Sequence, residues 1–170
     1  MHGYSGGRLM ARIDFASLDY HRSQIKANFP DFVEGDSFEF TSPVDLNYNC
    51  LGWALSYDNR YLDRGNGCYW PWEDASEETA EGWARVCEHH QFRILSDPNT
   101  SFVPGIEKIA ILRNDAGELH AARQSSEGKW KSKLGAWGPD IDHNDLAGLE
   151  TTYGKVVIVL QKPRPDWMQT

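Results

Sequence analysis

The spacing of apolar residues changes period part-way along the chain. In CLGWALSYD, residues 50–58, Leu51, Ala54 and Leu55 recur at i, i+3 and i+4, the repeat of one helical face. Asn49 precedes that run and suits an N-cap, because its side-chain oxygen accepts a free backbone N–H of the first turn. Further on, Trp83, Val86, Cys87 and His90 form a stripe that predicts a helix from about Ser76 to His90, with Asp74 and Glu77 at capping-box spacing. Leu18, Ile25 and Phe29 predict a short surface helix between Ser17 and Asn28, ended by Pro30. The stretch FVEGDSFEFTSPVDLNYN reads as irregular or briefly extended, and residues 59–73 as a Gly- and aromatic-rich connection.

Beyond residue 90 the period falls towards two. QFRIL is a short strand and EKIAILRN a longer one; DAG supplies a turn into ELHAARQ, and SSEG a turn into KWKSKLG. A short helix is expected from His143 to Leu149, then a last strand, KVVIVLQK. Helices first and an antiparallel meander second give the α+β class, as one domain over residues 16–170 behind a flexible tail of residues 1–15.

Composition narrows the partners. The 170 residues are 40% hydrophobic and 12% aromatic, enough to build a core, and the net charge of −8 argues against a nucleic-acid binder. No run approaches the roughly 18 apolar residues of a membrane span. The N-terminal MHGYSGGRLMARIDF lacks the apolar stretch of a signal peptide, so a cytoplasmic protein is expected, with export by a route lacking a cleavable signal left open. Three cysteines, Cys50, Cys68 and Cys87, fit a reducing compartment better than a disulfide framework.

Cys50 is the residue with chemistry to offer. A thiol reacts as its thiolate, which a helix N-terminus or a neighbouring imidazolium favours, and Cys50 is predicted to open a helix. Its own backbone N–H would then be free to hold the oxyanion of a tetrahedral intermediate. Of six histidines, His2 falls in the tail, His21 on a surface helix, His89 and His90 late in a helix, and His143 at the start of one. His120 stands mid-strand between small neighbours, with Ala122 and Gln124 on its own face. Ser132 across the hairpin, Gln124 and Asp140 are the candidates to orient its ring. Lys131 and Lys133 flank Ser132 on the opposite face, where they are expected to be solvated.

Together NYNCLGWA, HAARQ and GKWKSKLG resemble a family of small bacterial proteins whose layout is similar to papain-like thiol hydrolases of the NlpC type. The resemblance spans roughly residues 45 to 160. It implies a papain-like core, with a cysteine-bearing helix packed on an antiparallel sheet. It also implies Cys50 as nucleophile, His120 as base and Ser132 in the third position, acting on a peptide or other amide-containing substrate without a cofactor. Serine in that third position departs from the Asp or Asn that orients imidazole more strongly.

Plainer readings stand beside these. Free cysteine packs as a small hydrophobe, and histidine in a strand is often a satisfied core residue, so a catalytically silent binding domain on the same frame is the alternative. Asn47 is an oxyanion candidate and equally a turn residue. Trp70, in YWPW, could wall a substrate groove or cover the core. Cys68, Cys87, His89 and His90 lack the close Cys spacing of structural zinc, so no metal site is expected.

Overall fold

Residues Ile106–Arg113 are buried at every position from Glu107 to Leu112, the pattern of a strand covered on both faces. In the computed structural model, which describes residues 18–65, 67–135 and 138–165, this segment is β3. It lies within a seven-stranded antiparallel sheet ordered β1-β6-β5-β4-β3-β7-β2. The other strands are β1 (Phe38–Phe40), β2 (Arg93–Ile94), β4 (Leu119–Gln124), β5 (Trp130–Lys133), β6 (Asp140–His143) and β7 (Lys155–Pro163). Among the described residues the α-helices are α1 (Asp19–Asn28), α2 (Cys50–Ala54), α3 (Ala80–His89) and α4 (Glu150–Tyr153). The protein is thus an α+β fold with an antiparallel sheet. The tail expected over residues 1–15 lies outside the described residues.

Alternation along β3 divides the core in two. Ala110 and Leu112 join Ile25 and Phe29 of the α1 region, with Ala122, Trp130 and Val159, on one face. Ile109 and Ile111 join Leu51, Ala54, Val86, Ala121 and Leu160 on the other, beneath α2 and α3. Among the described residues no helix is long and apolar enough to cross a membrane.

Two elements differ from the sequence expectation. α3 begins at Ala80, capped by Thr79, whose hydroxyl accepts the Gly82 amide at 3.0 Å. Asp74 is drawn instead into a 3-10 turn (Glu73–Ala75) and binds His89 at 2.8 Å. His143 does not begin a helix; it ends β6, and the turn and helix follow at Ala147–Leu149 and α4. DIDH hides its strand character because both aspartates share a face, where Lys131 binds Asp142 at 2.8 Å and Tyr48 binds Asp140. Paired charges make a strand look like a loop.

Candidate functional site

Asn49 adopts an extended backbone, and its Oδ1 accepts the Gly52 amide at 3.0 Å, so α2 starts at Cys50. The same side chain binds both backbone groups of Leu62, accepting from its N–H at 3.2 Å and donating to its carbonyl at 2.8 Å. A Cβ at Gly52 would come within 2.7 Å of the Arg60 carbonyl oxygen, so only glycine lets the loop cross the helix this closely. Three backbone amides, those of Ala121, Leu51 and Cys50 itself, favour the charged form of the Cys50 sulfur. Burial outweighs them and pushes the thiol above its ordinary pKa.

His120 is 1% exposed. Its ring stacks on Tyr153 with 3.9 Å between centroids and 3° between planes, which fixes the imidazole plane. Nε2 lies 3.1 Å from Ser132 Oγ. Ser132 Oγ lies in turn 2.8 Å from His143 Nε2, and His143 Nδ1 lies 2.7 Å from the Asp145 carbonyl oxygen. All three side chains are buried. Desolvation, joined by the proximity of His143, lowers His120 to about 3; burial lowers His143 to about 4. Both rings are neutral at neutral pH.

The peptide nitrogen of Ala121 is bonded to the carbonyl carbon of His120, so the amide that polarises the thiol also joins the two residues. Strands β4 and β5 pair at Arg123–Lys131 and Gln124–Trp130 only, and α2 contacts both strands. Cys50 packs with the core on the α2 side, whereas the His120 ring stacks on the Tyr153 side. No hydrogen bond joins the thiol to the ring, and the Nδ1 atom of His120 makes none with any described residue.

Lys133 corrects one expectation: it is fully buried rather than solvated. Its ammonium donates to the Gly138 carbonyl at 2.7 Å and lies 4.9 Å from the Tyr48 ring centroid. Desolvation lowers its pKa, and its charge helps to offset the rise at Cys50. Asp140 shares this face, where its Oδ2 accepts the Tyr48 hydroxyl at 2.5 Å and its Oδ1 is buried with no hydrogen bond to a described residue. It does not orient His120.

The remaining candidates are scattered. Asn47 is exposed in a turn, with its amide bonded to Asp45. Gln124 sits four residues along β4 from His120 and donates to the Thr100 carbonyl at 3.3 Å. Trp70 donates to the Ala75 carbonyl at 3.1 Å and packs against Trp72 beside α3. Cys87 is buried, His89 binds Asp74 and His90 meets the Tyr57 hydroxyl at 3.0 Å, so the residues weighed for zinc point to separate partners. The functional candidate that sequence reasoning misses is His143, because paired charges disguise the strand that carries it.

A family model described as a domain of unknown function, DUF7689, matches residues 39–161, and the chain belongs to that family. No curated protein and no solved structure matches the chain significantly.

Proposed function

We propose that the protein is a thiol hydrolase or acyltransferase acting on an amide or related acyl bond, with Cys50 as nucleophile and His120 as base in a papain-like arrangement. One observation carries this reading. The Ala121 amide, which favours the Cys50 thiolate, belongs to the peptide that follows His120, whose Nε2 lies 3.1 Å from Ser132 Oγ while Nδ1 bonds to no described residue. In the reaction the thiol leaves its amide pocket, Nδ1 accepts its proton and the sulfur attacks the substrate carbonyl carbon. The vacated amides then face the developing oxyanion. The imidazolium returns its proton to the leaving amine, and water or a second nucleophile resolves the thioester.

A second reading, a silent binding domain, has its own support. Burial holds thiol and imidazole neutral, and they share no hydrogen bond. An activated ester such as p-nitrophenyl acetate separates the two. Intact-mass and peptide mapping should show acetylation at Cys50 that decays with time, lost in Cys50→Ser and slowed roughly hundredfold or more in His120→Ala. Acetylation spread equally over Cys50 and Cys68 would support the silent domain.

A further inference from the structure

A hydrogen-bonded chain runs from the Asp145 carbonyl through His143 and Ser132 to His120, and the donor at each link can be assigned in turn. A carbonyl oxygen only accepts, so His143 Nδ1 donates at 2.7 Å and carries that ring's proton. Being neutral, His143 leaves Nε2 as an acceptor, and the partner 2.8 Å away is the Ser132 hydroxyl, which must donate its single proton there. Towards His120, 3.1 Å away, Ser132 has only lone pairs left to offer. His120 Nε2 therefore donates, and the ring's lone pair falls on Nδ1, the nitrogen that bonds to no described residue.

We infer that His143 is a positioning residue that, through Ser132, holds His120 in the Nε2–H tautomer and leaves Nδ1 ready to accept a proton. This rests on the proposed thiol chemistry for its purpose, though the tautomer itself can be read without any reaction. Serine alone orients imidazole poorly, because its hydroxyl rotates and donates or accepts equally well. Here its rotation is fixed by a second histidine, itself locked by a peptide carbonyl and packed against Phe32 with ring centroids 5.6 Å apart. When Nδ1 takes a proton, Nε2–H keeps donating to Ser132, so no proton moves along the chain. The relay ends on a carbonyl rather than a carboxylate. It sets orientation without adding the counter-charge that an aspartate would supply.

The test is ¹⁵N NMR of histidine-labelled protein near neutral pH, where protonated and bare ring nitrogens differ widely in shift. The wild type should show His120 as the Nε2–H form and His143 as the Nδ1–H form. In His143→Leu the Ser132 hydroxyl loses its acceptor and can donate to His120, so an Nδ1–H population of His120 should appear. His143→Gln, which places an amide oxygen near the former Nε2, should restore the original form. The rate of Cys50 acetylation should fall roughly tenfold in the leucine variant and recover in the glutamine variant. A wild-type His120 in the Nδ1–H form would overturn the inference regardless of activity. The predicted tautomers with no acetylation of Cys50 in any variant would uphold the relay and defeat the thiol-hydrolase reading instead.

Discussion

At the scale of single residues, the site is a balance between burial and polarisation. Cys50 has backbone amides and the Lys133 ammonium to favour its thiolate, yet desolvation wins and the thiol rests protonated. His120 is likewise held neutral, with a pKa of about 3. Alkylation of Cys50 by a haloacetamide should therefore climb steadily as pH rises towards and beyond the ordinary thiol range, with no plateau on the acid side. Cys87, buried and pushed up to about 12, should react only when the protein unfolds. Peptide mass spectrometry resolves both. A flat, fast rate at Cys50 below about pH 7 would mean a resting thiolate–imidazolium pair, contrary to this balance.

At the scale of elements, α2 is five residues long and gains little from its own hydrogen bonds, so its cap decides where it starts. Asn49 accepts the Gly52 amide and also binds the backbone of Leu62 through two further bonds. Asn49→Ala should cost about 2 kcal/mol, the upper end for an N-cap, measured by urea unfolding, and should slow any reaction at Cys50. A loss of a few tenths would mean that the loop holds itself. The cap was legible in the sequence because capping is a local event between residues three apart. β3, β4, β5 and β7 were legible for the same reason, since runs of strand-forming residues between turn signals are local. β6 was not: Asp140 and Asp142 find partners, Tyr48 and Lys131, that are distant in sequence. Lys133 was misplaced likewise, because the Gly138 carbonyl and the Tyr48 ring that receive it are products of folding.

At the scale of the whole molecule, the sheet brings together what the chain separates. Register places Ser132 beside Ile141 and Trp130 beside His143, so that Ser132 meets both imidazoles on one face. No local pattern announces such a chain, and the sequence offered Ser132 only as one of three partners for His120. The burial of two neutral histidines also ties stability to pH. Their folded pKa values, about 3 and about 4, lie below the ordinary 6.5, so the unfolded chain binds more protons in the range between. Their contribution is full above about pH 6.5 and is lost as pH falls towards 4 and 3, each ring costing at most about 1.4 kcal/mol for every pH unit crossed. The loss of stability between about pH 7 and pH 4.5, measured by urea unfolding, should be smaller in His143→Leu than in the wild type. An equal loss in both would place the acid sensitivity elsewhere.

What ties these scales together is the proposal that Cys50 and His120 act as one reactive pair where α2 meets β4 and β5. Its most direct measurement is the rate of thioester formation at Cys50 relative to Cys68 with p-nitrophenyl acetate, in the wild type and in His120→Ala. The pair predicts a large preference for Cys50 that collapses towards the Cys68 rate when the imidazole is removed. A Cys50 rate that matches Cys68, or one indifferent to His120, would contradict it and leave a buried relay serving the fold alone.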